Sequence, residues 1–259
     1  MLAFDAETAR QLEIGYMGAD VVRRRRASFD ALDPRPGETL VDIGCGNGLL
    51  TAELARAVGP AGQVIGLDPS ADMRAVAVAR CRDVPAAVLR HGLADAIPLE
   101  DGAADGAVAM QVFEYLPDLA PALAEAFRAL RPGGRLVVSD IHFDSLIWAT
   151  DAPGRMARML RAWDAHLALR DAPARLPGEM ARAGFVPRDV TPVTICDPVL
   201  RPDGLAQIMI RLIVPFAVNE GLVEEAEARA WAAEQEALAR AGRFFFSLTQ
   251  FVTRATKPG

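Results

Sequence analysis

An open, doubly wound α/β sheet is the architecture that this 259-residue sequence predicts, and three observations predict it. First, an apolar run, Leu40-Val41-Asp42-Ile43, ends in glycines at alternating positions, Gly44, Gly46 and Gly48. It passes directly into the helical pattern Leu49-Leu50-Thr51-Ala52-Glu53-Leu54-Ala55. Second, another strand-like run at 63–67 ends in Asp68, 68 − 48 = 20 residues beyond the last glycine. Third, strand-like and helical runs alternate along the chain at an interval that implies parallel strands joined by right-handed crossovers. Strand, glycine turn and helix make the nucleotide-binding half of such a sheet, because glycines adopt unusual backbone angles and let a ligand lie against bare backbone.

Taken in order, residues 5–32 read as an N-terminal cap helix. Leu12, Tyr16, Val21, Val22, Phe29 and Leu32 recur at roughly helical spacing, and Gly15 and Gly18 interrupt it beside Tyr16. The run Arg23-Arg24-Arg25-Arg26 reads as the solvated face of this helix; the alternative is an electrostatic lid over an anionic substrate. Asp33-Pro34-Arg35-Pro36-Gly37 is a turn. Strands are expected at 39–43, 63–67, 86–90, 105–110 and 134–140, with helices near 48–58, 70–80 and 119–130. Residues 184–196 and 244–256 are β-rich. The segment 144–183 has room for two helices, and 199–242 is helical from about 204 to 218 and from 223 to 241. One domain over 1–259 accommodates all of these, with ligands expected beyond the carboxyl ends of the strands.

Composition narrows the partners. Hydrophobic residues make up 51% and charged residues 24%, which fits a soluble globular chain and excludes a disordered one. A net charge of −6 argues against nucleic acid, which demands a basic face. No apolar run approaches membrane-spanning length, and the N-terminus lacks a basic region followed by an apolar core, so a cytoplasmic protein without membrane association is expected. Cys45, Cys81 and Cys196 are widely spaced and form neither a disulfide framework nor a zinc site, so no metal is expected and buried, reduced thiols are.

The spacing G-x-G-x-G differs from the G-x-G-x-x-G of dinucleotide sites, and points to an adenosyl ligand without phosphates. Val41-Asp42-Ile43-Gly44-Cys45-Gly46-Asn47-Gly48 together with Asp68-Pro69-Ser70-Ala71-Asp72-Met73 closely resembles the class I S-adenosylmethionine-dependent methyltransferases. Three later stretches resemble the same family in the same order: 91–99 around Gly92 and Pro98, 107–118 around Gln111 and Glu114, and 130–140 around Pro132-Gly133-Gly134. The resemblance is specific over roughly 36–141, the cofactor-binding core, and is nearest to the quinone-biosynthesis-type small-molecule methyltransferases. It implies a Rossmann-like, seven-stranded sheet, mostly parallel with an antiparallel last strand. Residues 184–196 and 244–256 would be its closing strands, and 144–183 and 199–242 helical insertions covering the substrate.

The same resemblance implies a set of cofactor contacts. Asp42 and the turn Gly44, Cys45, Gly46, Asn47 and Gly48 face the aminopropyl-carboxylate end, where Tyr16 is a candidate cap. Asp68 takes the ribose hydroxyls, with Pro69 beside it and Met73 packing near the adenine. Gly92, Leu93 and Ala94 follow the third strand, and Gln111 the fourth. Where family members often carry an acid for the adenine amino group, this chain has Leu93. Either Asp95 takes that role or backbone groups read the adenine edge.

The candidates for chemistry are fewer. His142 and Asp144 leave the fifth strand at its carboxyl end and alternate, so in an extended segment they share a face. His142 would be a general base toward a hydroxyl, with Asp144 fixing its tautomer or binding substrate; the alternative is a histidine bonded within its loop. Tyr115, Trp148 and His166 are candidate substrate contacts, against packing roles for each. The expected activity is S-adenosylmethionine-dependent methylation of a small hydrophobic or aromatic metabolite at O, C or N, with S-adenosylhomocysteine as product, by a monomer or homodimer. The alternative is a protein that binds the same cofactor but serves a non-methylating, cyclase-type reaction. A dinucleotide oxidoreductase is disfavoured by the glycine spacing, and a non-enzymatic partner subunit by the intact cofactor turn.

Overall fold

Period-two alternation along the strands sorts the core into two layers. In the computed structural model, which describes residues 16–259, Leu40, Val64, Val108, Val137 and Val252 belong to one buried cluster. Val41, Ile65, Ala107, Leu136 and Val138 belong to the cluster on the opposite face. Neighbours one residue apart thus serve different layers, as a sheet buried on both faces requires. The first face is covered by α1 (Ala19–Leu32) and α2 (Leu49–Val58), and α3 (Ala71–Arg80) packs against α2. The second face is covered by α4 (Ala120–Ala129), through Leu123 and Ala126.

The strands β1 (Thr39–Ile43), β2 (Gln63–Leu67), β3 (Ala87–Arg90), β4 (Ala104–Met110) and β5 (Leu130–Ile141) are parallel and lie in the order β3-β2-β1-β4-β5. The order reverses at β1, which pairs with β2 on one side and β4 on the other, so the crevice for a ligand opens beyond Ile43. Three further strands are β6 (Ile147–Trp148), β7 (Val186–Asp197) and β8 (Phe246–Thr256). β8 runs antiparallel between β5 and β7. Among the described residues the sheet has eight strands rather than the seven expected. The extra one, β6, pairs with Ser247 and Phe246 on the β5 side of β8, where the chain regains contact after leaving β5. β5 also starts earlier than expected, because Leu130 pairs with Ala104 ahead of a register shift at Ala104/Gly106.

The 144–183 segment divides between two roles. Its first helix, α5 (Pro153–Asp164), joins α7 (Leu205–Asn219) and α8 (Glu225–Arg240) in a separate helical core with Trp148, Trp163 and Trp231. Its second helix, α6 (Ala172–Arg182), instead lies on the sheet against β5, β7 and β8, with Leu176 and Met180 in the second-face cluster. It completes that layer and does not cover the crevice. The helical core is tied to α1 by Asp20, whose Oδ2 accepts the Leu205 N–H at the start of α7 (3.0 Å) and a bond from Arg201. Of the expected 5–32 helix, Ala19–Leu32 is helical, and residues 5–15 lie outside the described residues. Gly18, extended at φ −63° and ψ 147°, is its N-cap.

Trp231 has no exposed surface, meets Trp148 edge-on at 5.1 Å, and points its Nε1 at the Met156 sulfur, 3.3 Å away. Trp231→Ala should therefore cost about 3–5 kcal/mol, the usual range for an aromatic deleted from a packed core. Urea unfolding of the two proteins measures it, and a loss under about 1 kcal/mol would show that the helical core does not depend on this residue.

Candidate active site

The turn between β1 and α2 is built from backbone that only glycine holds without strain. Gly44, Gly46 and Gly48 all have positive φ, at 69°, 52° and 77°. Their surroundings differ. A Cβ on Gly44 would overlap the Val112 side chain, and one on Gly48 would sit 2.8 Å from the Ala77 Cβ, whereas one on Gly46 would meet nothing within 4 Å. Gly44 and Gly48 are therefore packing glycines, and Gly46 leaves its face open to the crevice. The turn is pinned from the second strand: Asp68 accepts the Gly46 N–H (2.9 Å) and the Ser70 N–H (2.8 Å), one on each oxygen. Asn47 is buried, and its carbonyl accepts Arg80 Nε at 2.8 Å.

Beyond the carboxyl ends of β1, β2 and β4 lies a cavity of about 400 Å³. The turn lines it through Asp42, Gly44, Cys45, Gly46 and Asn47; Gly48 alone of the expected turn residues is behind the wall, as N-cap of α2. Asp68, Pro69 and Met73 form a second side, Gly92, Leu93 and Ala94 a third, and Gln111, Val112, Tyr115 and Leu116 a fourth. Tyr16 closes the remaining side, packed like Leu212 of α7 against Met73. Asp95 is exposed and does not reach the cavity. Asp42 is buried and accepts the Thr51 hydroxyl at 2.5 Å, and burial pushes its carboxyl up to about 7. Burial also raises Asp68, against the opposing pull of its two N–H donors and Arg74, and raises Tyr16 to about 12.

The arginine run is not a solvated face. Arg23 and Arg26 are exposed, but Arg24 and Arg25 are buried with Val21, Ser28 and Leu32 on the inner side of α1. Arg25 lines the cavity, holding Glu53 with its Nε (2.9 Å) and the Tyr16 carbonyl with its Nη1 (3.0 Å). Arg24 Nε reaches Gln250 Oε1 at 2.8 Å. The signal was in the sequence: 21, 24, 25, 28 and 32 are one helical face, anchored by Val21 and Leu32. Glu114, one residue before Tyr115, is fully buried.

Four further expected site residues, besides Gly48, fall outside the cavity. After Ile141 the chain enters a 3₁₀ turn, Phe143–Ser145, instead of staying extended, so His142 and Asp144 do not share a face. His142 is half-buried with its ring edge-on to Phe251, 6.2 Å away. Asp144 is exposed and paired with Arg170 at 2.8 Å. Trp148 is core, against Phe246 and Trp231. His166 is buried in the turn after α5, stacked on Trp163 with ring centroids 3.7 Å apart, and burial lowers it to about 4, which keeps it neutral. It stands behind Tyr115 at 5.9 Å. Of the cysteines, Cys45 and Cys81 are buried, while Cys196 is exposed on β7. Among the described residues, no helix is long and apolar enough to cross a membrane.

Fold and cavity together define a Rossmann-like protein with a ligand site at the switch point. A family described as "Methyltransferase domain" matches residues 41–138. A Streptomyces fradiae protein described as an uncharacterized 37.1 kDa protein in transposon TN4556 is 36% identical over 96% of this chain and 72% of its own length. Demethylmenaquinone methyltransferase of Desulfitobacterium hafniense is 37% identical over 45% of this chain, and the alignment spans 47% of that enzyme, about half its length. The YcgJ protein of Bacillus subtilis has the same fold, with a TM-score of 0.64 at 17% identity, over 91% of this chain and 98% of that one. Residues 41–138 are thus a methyltransferase domain of the class I family.

Asp42 provides a test of the site's electrostatics. A carboxyl raised to about 7 binds its proton more tightly folded than unfolded, so its contribution to stability falls as pH rises from about 4 to 7. Asp42→Asn mimics the protonated form at every pH. Relative to wild type it should gain on the order of 2 kcal/mol between pH 5 and pH 8. Urea unfolding at the two pH values measures the difference, and a gain independent of pH would contradict a protonated Asp42.

Proposed function

We propose that the protein is an S-adenosylmethionine-dependent methyltransferase whose acceptor is a small hydrophobic or aromatic metabolite methylated at O, C or N. The observation that carries the reading is the open face of Gly46 between two buried carboxylates, Asp42 and Asp68. A Cβ would fill that cradle, and the two carboxylates beside it oppose the charge of a pyrophosphate. An adenosyl amino acid fits the residues present. The Asp68 oxygens each keep a lone pair beyond their backbone partners, enough to accept two ribose hydroxyls. Asp42 suits an ammonium. Arg25 and the N-terminus of α2, where Gly48 supplies no side-chain cap, suit a carboxylate. Met73, Pro69, Leu93 and Ala94 offer apolar surface for the adenine. With Asp95 exposed, backbone groups near Leu93 and Ala94 read its edge.

Bound there, S-adenosylmethionine supplies an activated methyl group and leaves as S-adenosylhomocysteine. The chain's own task is to align the acceptor and exclude water. Leu212 of α7, packed like Tyr16 against Met73, brings the helical core to the cavity's edge, which supports a covering role for 199–242. His142 and Asp144 take no part in this reading.

Incubation with methyl-labelled S-adenosylmethionine and a metabolite extract should place label in a small apolar product, identified by mass spectrometry. Bound cofactor with no labelled product would favour the non-methylating alternative. Asp68→Ala should weaken S-adenosylhomocysteine binding by roughly 2–4 kcal/mol, since buried hydroxyls lose their acceptor. Gly46→Val should abolish it: its side chain projects into the open cavity, and the cost to the fold is the positive φ alone, about 1–3 kcal/mol. Unchanged affinity in either variant, measured by calorimetry, would place the cofactor elsewhere.

A further inference from the structure

A sealed polar cluster lies behind the cavity wall at Tyr115. Glu114 has no exposed surface, accepts the Ile141 N–H at 3.2 Å, and has the Gln111 and Tyr115 side chains in hydrogen-bonding reach. Asp140 on β5 is sealed as completely: Oδ1 accepts the Val112 N–H at 2.9 Å, and the Phe113 and Glu114 N–H groups also face the carboxylate. Facing both from α1 is one guanidinium, Arg24, whose Nη2 has no partner among the described residues. Tyr16 also faces the cluster, and neutral His166 stands beyond Tyr115. Gln111, between the cluster and the cavity, is held at φ 56°, in the left-handed region that a side chain rarely occupies.

Two carboxylates and one guanidinium, shut away from water, carry a net buried negative charge if all are ionised. Like charges at such a site titrate as a unit, so the cluster retains an exchangeable proton. We propose that Glu114, acting through Tyr115, accepts the proton given up by a methyl acceptor whose nucleophile is a weakly acidic hydroxyl. This rests on the methyltransferase reading above and adds an acceptor class to it.

The balance is simple. The acceptor's O–H bond breaks as its oxygen gains the methyl group. Tyr115 Oη takes that proton while passing its own to the Glu114 carboxylate. S-adenosylmethionine, positively charged at sulfur, leaves as a neutral thioether that keeps the electron pair of the broken carbon–sulfur bond. One buried positive and one buried negative charge disappear together, so neither is left unpaired in a medium of low dielectric. Burial holds Glu114 at about 7, against the pull of the Ile141 N–H and Arg24, so near neutrality an ionised fraction is ready to take a proton.

Proton exchange on ligand binding tests this without an acceptor. Titration calorimetry in buffers of different ionisation enthalpy, at pH 7, counts protons released by S-adenosylmethionine and by S-adenosylhomocysteine. The two differ only in the sulfonium methyl and the positive charge it confers, so the part of the difference that belongs to Glu114 is the part that Glu114→Gln removes. A sulfonium beside Glu114 favours its ionised form, and S-adenosylmethionine should release roughly 0.3–0.5 proton more than S-adenosylhomocysteine. Glu114→Gln, which preserves shape, should erase the difference, and Asp189→Asn, on the exposed edge of the sheet, should keep it. The infrared carbonyl band of a protonated carboxyl, read on wild type alone, should lose intensity when S-adenosylmethionine replaces S-adenosylhomocysteine. Equal proton counts, a difference surviving Glu114→Gln, or an unchanged band overturns the proposal and leaves the cofactor reading standing. Failure of both ligands to bind overturns both.

Discussion

Everything at the carboxyl edge of this sheet depends on a backbone turn with three positions, Gly44, Gly46 and Gly48, that a side chain would strain. Gly44 is pressed against Val112 from the β4 side and Gly48 against Ala77 of α3, so the turn is clamped between two elements. Asp68 then reaches across from the end of β2 to hold the Gly46 N–H. The clamp and the bond leave one face of Gly46 bare, and that face opens on the cavity. Close packing on two sides creates the opening on the third.

The cavity's polar groups gain their character from burial. Asp42 would be an ordinary acid in water; enclosed at the end of β1 with Thr51 as donor, it is raised into the neutral range. Glu114 is raised likewise behind Tyr115. A site that keeps carboxylates this way welcomes a cationic ligand, since the incoming charge supplies what the protein withholds. S-adenosylmethionine carries a sulfonium and an ammonium, which matches that demand. Arg25, paired with Glu53, is the guanidinium that lines the same cavity.

Strands and crossover helices of the core were legible in the sequence because local pattern and tertiary role agree there. Asp42, Asp68 and the glycines are fixed by the same short stretch of backbone, and their sequence neighbours are their neighbours in space. Sequence reading failed where the answer depends on partners far along the chain. The buried arginines are an example: Arg24 is inside because Gln250 meets it and Glu114 faces it, residues 226 and 90 positions away (250 − 24 and 114 − 24). His142 and Asp144 were misplaced for a local reason, since extended geometry was assumed through a segment that coils into a 3₁₀ turn. Trp148 and His166 were ambiguous between pocket and core until the helical segment packed over them. The strand β6 is only two residues long, too short for any periodicity to announce it.

The central claim is that the turn at Gly46 is shaped for an adenosyl amino acid and not for a phosphate-bearing nucleotide. Titration calorimetry of the wild-type protein with S-adenosylhomocysteine and with NAD, side by side under the same conditions, tests it most directly. Saturable 1:1 binding of S-adenosylhomocysteine, with no measurable heat from NAD, is the result the account predicts. Tight binding of NAD with none of S-adenosylhomocysteine would contradict it.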